Sequence, residues 1–197
     1  MKKIEVNIHG ITGLLMNSNK GVNPLNKTTQ QIKVLTAKRK RTEDDEVEIY
    51  RLKWINALYY DEVNGVHVPS VNIEAMIKSA AKTLRKGSIA KQSSAIIVQP
   101  DFVPLIYPGP KKPEELWNDP EGRYADIRVG RIKQASINLC RPRFNQWDLK
   151  FTVRYDETKF DYDELVNLIA LAGHEIGLCD YREKYGHFDI VEVKKLS

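Results

Sequence analysis

The chain has 197 residues, room for one domain with a substantial core or for a domain carrying a large insertion. Its 42% hydrophobic and 29% charged residues are ordinary for a soluble protein, and the formal net charge of +5 permits an anionic partner without demanding one. No run approaches the roughly 18 apolar residues of a membrane span, and the Met-Lys-Lys-Ile-Glu-Val start lacks the apolar core of a signal peptide, so a cytoplasmic protein with no membrane partner is expected.

In chain order, Ile4, Val6 and Ile8 alternate with Glu5 and Asn7, the period of a half-buried strand over residues 4–15, with Gly10 and Gly13 marking a turn or bulge. Residues 17–26 are rich in Asn, Gly and Pro and read as loop. Residues 30–37 suit a short strand or a helix. A basic block at 38–41 followed by an acidic one at 43–46 suits a solvated, mobile segment. Asn64-Gly65 between short apolar runs predicts a hairpin with a type I′ turn, and Pro69 ends its second strand.

Ile73, Met76, Ile77, Ala80, Ala81 and Leu84 fall three and four apart, which predicts a helix over residues 71–85, capped by Ser70 or Asn72 and stopped by Gly87. Residues 95–98 and 102–107 look like short strands. The segment 107–122 carries four prolines and reads as an inserted loop. Strands are predicted over 127–142 and 147–155, a helix over 163–176 with Asp161 or Asp163 as cap and Gly177 past its end, and a last strand over 188–193.

A strand and a helix, two more strands, a helix and a strand make a β-α-β-β-α-β order. The expected fold is α+β, a modified ferredoxin-like or RNA-recognition (RRM-like) fold with inserted hairpins. The expected organisation is a single domain over 1–197 with insertions at 33–50 and 107–131. Cys140 and Cys179 have no C-x-x-C spacing and are expected as free thiols.

Function is sought in the placement of Lys and Arg. On the first long helix Lys78, Lys82, Arg85 and Lys86 lie three and four apart, opposite the apolar stripe, and Lys91 extends that surface into a loop. A solvated helix face is the plain alternative, but no acid occurs from Lys78 to Gln99, whereas solvated faces mix signs. A second set follows the proline loop and includes Arg128, Arg131, Arg141 and Arg143, the last two sharing one strand face beside Phe144. Arg182 and Lys184 stand among Tyr181, Tyr185 and Phe188 in a third set between Gly177 and Gly186. Charge for a backbone and flat groups for bases suit single-stranded nucleic acid.

Catalytic signals are weaker. His174-Glu175 begins a zinc-protease pattern, but Leu178 occupies the place of its second histidine. Asp161 and Asp163 read as helix caps, and Glu43–Glu46 as part of a charge-balanced loop. No cofactor or metal site is expected.

The strand-turn from Ile8 to Met16 resembles the opening strand of the RAMP proteins, the RNA-binding subunits of CRISPR effector complexes. Val68-Pro69-Ser70-Val71-Asn72-Ile73 resembles the entry to their first helix, and Gly177-Leu178-Cys179-Asp180-Tyr181-Arg182 with Tyr185-Gly186-His187-Phe188 resembles their Gly-rich loop before the last strand. The resemblance implies a non-catalytic backbone subunit that binds single-stranded guide RNA and assembles as a homo-oligomer along it, with other effector subunits as partners. It also implies that Lys78, Lys82 and Arg85 hold phosphates, and that an inserted thumb folds over the RNA, formed by 124–131 and the proline-rich loop or by 33–50. The alternatives are a phage or plasmid single-stranded DNA-binding protein, a metal-dependent endoribonuclease working through Glu43–Glu46 or through His9 and His187, and a protein-interaction role.

Overall fold

The computed structural model describes residues 1–83, 96–132, 135–159 and 161–196, with backbone alone for 129–138. In chain order the first elements are β1 (Lys2–Gly10), β2 (Leu14–Leu15), α1 (Lys27–Thr36) and α2 (Glu43–Ala57). Next come β3 (Tyr60–Asp61), β4 (Gly65–Pro69), α3 (Ser70–Thr83), β5 (Ile96–Gln99) and β6 (Phe102–Ile106). The chain ends with α4 (Pro113–Trp117), β7 (Ala125–Ile132), β8 (Ala135–Phe144), β9 (Asp148–Tyr155), α5 (Tyr162–Leu171) and β10 (Phe188–Leu196). The fold divides into two units: Met1–Leu14 with Asp61–Pro108 and Asn145–Ser197, and Leu15–Tyr60 with Gly109–Phe144. Both segments expected as insertions, 33–50 and 107–131, fall largely in the second unit.

The first unit holds the β-α-β-β-α-β motif. Its sheet runs β10-β1-β9, with β5 and β6 both antiparallel to β9 on the far side. The four strands of the motif are therefore ordered last, first, third, second, all antiparallel, and the fold is α+β and RRM-like. Ile4, Val6 and Ile8 of β1 and Leu149, Phe151, Val153 and Tyr155 of β9 are buried on one face. The apolar stripes of the two helices are buried as well: Ile73, Met76, Ile77, Ala80 and Ala81 on α3, and Leu165, Leu168 and Ile169 on α5. At about 1.5–3 kcal/mol for each fully buried aliphatic side chain, these stripes hold the unit together. Asp161 caps α5 by accepting from the Asp163 N–H at 3.2 Å.

The second strand of the motif is corrected. It is β5 continued by β6, two short strands on the same neighbour broken at Pro100 and Asp101, rather than 127–142. Residues 127–142 belong instead to the β7–β8 hairpin of the second unit. The turn between β3 and β4 also differs from the expected type I′: only Gly65 there has a positive φ, +65°. It is closed by the Asp61 carboxylate, which accepts from the N–H groups of Val63 at 2.9 Å and Asn64 at 2.7 Å. The Gly87 stop falls outside the described residues.

In the second unit the acidic half of the charged stretch, residues 43–46, is the first turn of a helix rather than part of a mobile segment, while the basic block 38–41 lies between α1 and α2. Thr42 and Asp45 form a reciprocal capping box at the head of α2, and four acids fill its first turn, where the helix dipole favours them. α2 buries Ile49, Leu52 and Trp54, and the Trp54 indole N–H donates to the Tyr124 carbonyl at 2.8 Å. The proline segment is not wholly loop, since Pro113 opens the short α4, whose Leu116 is buried.

Candidate nucleic-acid interface

The most constrained region of the first unit is where residues 10–13 meet residues 173–187. α5 ends in a π turn, Ala172–Ile176, and Gly177 follows at φ +77°. The chain then returns on itself: Leu178 N–H donates to the Gly186 carbonyl at 2.9 Å, and Gly186 N–H donates to the Gly13 carbonyl at 2.8 Å. His187 N–H donates to the Thr12 hydroxyl at 3.0 Å, and its carbonyl accepts from Ile11 at 2.9 Å. Glycine is required by space as well as by φ. A Cβ on Gly186 would collide with the Leu178 backbone, and one on Gly173 with the Phe188 carbonyl. Cys179 and Tyr181 carry positive φ, +67° and +48°, without being glycine, so surrounding bonds hold the loop in a sparsely populated backbone state.

This closure buries Leu178 and Tyr185 and leaves Tyr181, Arg182 and Lys184 on the outside. Arg182 and Lys184 make no ion pair among the described residues. Asn72, near the head of α3, approaches the Cys179 sulfur at 4.0 Å, so the loop abuts that helix. Lys78 and Lys82 lie about 9 and 15 Å further along it by helical rise. Both are exposed and have no carboxylate partner among the described residues. Arg85, Lys86 and Lys91 lie outside the described residues.

The face of the sheet turned away from the helices carries no Phe, Tyr or Trp on β10, β1 or β9. Several of its charges are paired with one another, whereas Lys3 and Arg154, opposite each other on β1 and β9, make no ion pair among the described residues. Lys150 meets Glu5 at 2.9 Å, His9 meets Asp148 at 2.7 Å, and Asn7 and Lys194 both reach Glu192, at 3.1 and 2.9 Å. RRM domains stack bases on aromatic side chains of this face, and here β10, β1 and β9 supply none.

In the second unit the hairpin arginines have a structural partner that sequence reading missed. Asp126, 6% exposed, lies on β7 two residues before Arg128 and opposite Arg141. Its carboxylate takes Arg128 at 2.7 Å and Arg143 at 3.8 Å. The signal was legible, because i and i+2 share a strand face. Arg131 lies on β7 with its side chain outside the described set.

Other candidates resolve into local roles. Asp45 belongs to its capping box and pairs with Lys38 at 2.6 Å. His174 pairs with Asp189 at 3.0 Å, and His187 holds the Gly173 carbonyl at 3.1 Å. Among the described residues no group of three or more His, Cys, Asp or Glu could hold a metal ion. Both cysteines are free thiols, and burial pushes each up to about 12.

No protein-family model matches the chain, and no curated protein matches it in sequence. Among solved structures, a chain of the cryo-EM structure of the Type III-B Cmr-beta bound to cognate target RNA has a similar fold, with a TM-score of 0.52 at 10% identity. The match covers all of this chain and 61% of that one, so the chain spans about three fifths of its neighbour's length. The likeness is one of fold.

Proposed function

We propose that the chain is a RAMP-type subunit of an RNA-guided effector ribonucleoprotein. It binds single-stranded guide RNA without cutting it and assembles side by side with further copies along the strand. The observation that carries this reading is the glycine-locked loop at 177–187. Its backbone strain and tight packing hold Arg182, Lys184 and Tyr181 outward at the head of a helix whose outer side bears Lys78 and Lys82. Lys82 lies about 15 Å along α3 from Asn72 by helical rise, and on this reading the loop cations and these lysines make one path suited to several consecutive phosphates. The neighbour found in a CRISPR complex shares the fold and adds support of the same kind. The lack of aromatic side chains on the sheet face of β10, β1 and β9 supports a path along α3 over one across the RRM platform.

The test is the ratio of absorbance at 260 and 280 nm of freshly purified protein, followed by extraction and nuclease typing of what co-purifies. RNA of discrete length is the expected result, with matched RNA and DNA oligomers competed to fix the preference. Protein free of nucleic acid that also ignores added oligoribonucleotides at low salt would overturn the reading.

A further inference from the structure

On the open face of the sheet in the first unit the register sets four residues in one row: Leu196 on β10, Lys3 on β1, Arg154 on β9 and Ile97 on β5. Period two puts them on this face, because Ile4, Val153, Tyr155, Ile96 and Val98 beside them are buried on the other. Two cations therefore stand directly opposite each other, about 5 Å apart at their Cβ atoms, and like charges so placed destabilise a sheet. Neither makes an ion pair among the described residues. The Arg154 Nε is enclosed and has no hydrogen-bond partner there either.

The acids around this row are engaged by other cations. Glu5, two residues along β1 on the same face, meets Lys150 at 2.9 Å. Glu192 on β10 meets Lys194 at 2.9 Å, and Glu157, past the end of β9, meets Lys2 at 3.6 Å. In the next row of the register Thr152 and Gln99 face each other, which sets a hydroxyl and a carboxamide beside the cations. At both ends the first row closes in apolar surface that water reaches, Ile97 at 43% exposure and Leu196 at 37%.

Facing cations, donors one row on and apolar flanks together define one ligand chemistry. A carboxylate offers a single charge and two acceptor oxygens. A phosphate ester offers more oxygens in a tetrahedral array, so a guanidinium, an ammonium and a hydroxyl can each take one, and it carries carbon that can lie against Ile97 or Leu196. We propose that Lys3 and Arg154 bind one phosphate ester on the open face of the sheet, with Thr152 as a further donor. The anion supplies the acceptor that the Arg154 guanidinium lacks and neutralises the two facing charges. A phosphate contact needs no aromatic side chain, so it agrees with the composition of this face. The ester is either a free sugar phosphate or one phosphodiester of a strand. This goes beyond the RNA path along α3 and uses none of its residues, so either assignment can fail alone.

The full chain, labelled with ¹⁵N, is titrated with ribose 5-phosphate, with a pentauridylate bearing hydroxyls at both ends, and with succinate as a carboxylate control. The expected result is saturable movement of the Arg154 Nε–H signal and of the Lys3, Thr152 and Ile97 amides by at least one phosphate probe, with succinate binding more weakly. Lys3→Gln and Arg154→Gln each weaken that binding at least about tenfold, the weight of one charged hydrogen bond. Without ligand at low salt both variants melt at or above the wild-type temperature, since removing one of two facing cations relieves their repulsion. Movement by ribose 5-phosphate alone assigns a free ester; movement by the pentauridylate that persists when Lys78→Glu and Lys82→Glu are combined assigns a strand phosphate. The proposal is overturned if neither phosphate probe moves these signals, or if only the pentauridylate does and its effect is lost in that double variant. It is overturned equally by unchanged affinity in both glutamine variants, by both of them melting below wild type, or by succinate binding as tightly as the phosphates.

Discussion

Trp147 holds Gly10 from two sides: its carbonyl accepts the Gly10 N–H at 2.9 Å, and its indole fills the space a Cβ would take. The same indole N–H donates to the Thr12 carbonyl at 2.7 Å. One tryptophan therefore sets the exit of β1 and the turn that receives the 177–187 loop. Gly10→Ala should destabilise the protein by about 2 kcal/mol, because the ring must leave a packed position. Urea unfolding of the variant would show it, and an unchanged midpoint would mean the ring moves freely.

The glycine lock makes a sharper demand. Gly186 sits at φ +76° with the Leu178 backbone against it. Gly186→Ala should cost about 2–3 kcal/mol from the left-handed conformation and the collision together. RNA affinity should fall more than stability alone explains, since Arg182 and Lys184 lose their placement. Filter binding at a temperature where the variant remains folded separates the two effects.

Charge reversal on α3 tests this path directly. Lys78→Glu with Lys82→Glu should weaken RNA binding by at least about tenfold and leave thermal unfolding nearly unchanged, because both side chains are exposed. The slope of log affinity against log salt should shrink by about 0.7 for each phosphate no longer neutralised. An unchanged slope would remove α3 from the path.

Asp126 answers to a different measurement. Its buried carboxylate gathers Arg128 and Arg143, so Asp126→Asn should lower stability by about 2 kcal/mol through weakened charged hydrogen bonds. Freed from that carboxylate, the two arginines become available to an anion. RNA binding that rises in this variant while melting temperature falls would assign the hairpin arginines to the strand; binding that falls with stability would leave them structural.

The thiols and one carboxylate, Asp119, give the pH dependence. Burial raises both cysteines from 9.0 to about 12 in the folded chain. The unfolded chain releases these protons first, so their contribution to stability is intact below pH 9 and is lost as pH rises toward 12. Neither thiol should react with Ellman's reagent at pH 8 until denaturant is added. Asp119 shifts the other way: hydrogen bonds from Arg123 hold its carboxyl down to about 2, against 3.8 unperturbed. Its contribution is present above pH 3.8 and fades as pH falls through 2, and Arg123→Ala should return its titration, followed by NMR, toward 3.8.

Much of the first unit was legible because its elements obey simple periods. The stripes of α3 and α5 and the alternation of Ile4, Val6 and Ile8 have one structural reading each. The two halves of the second strand are legible as short strands at 95–98 and 102–107, but Pro100 and Pro104 separate them, and the longer 127–142 takes their place in the motif. Alternation reports a strand, not the sheet it joins. α2 was obscured by its acidic first turn, which reads as a solvated charge block until Thr42 is seen closing the capping box with Asp45.

The sheet order has a last consequence. Among the described residues, β10 closes one side of the sheet and pairs with β1 alone. Its outer half carries Glu192, Lys194 and Lys195, and lysine on an unpaired strand margin discourages a further strand from being added there. Any contact between copies of this chain at β10 would therefore not extend a continuous sheet. Their spacing along any ligand would be set by side-chain surfaces, free to adapt to the strand they follow, and the sheet would be protected from the runaway stacking that leads to fibrils.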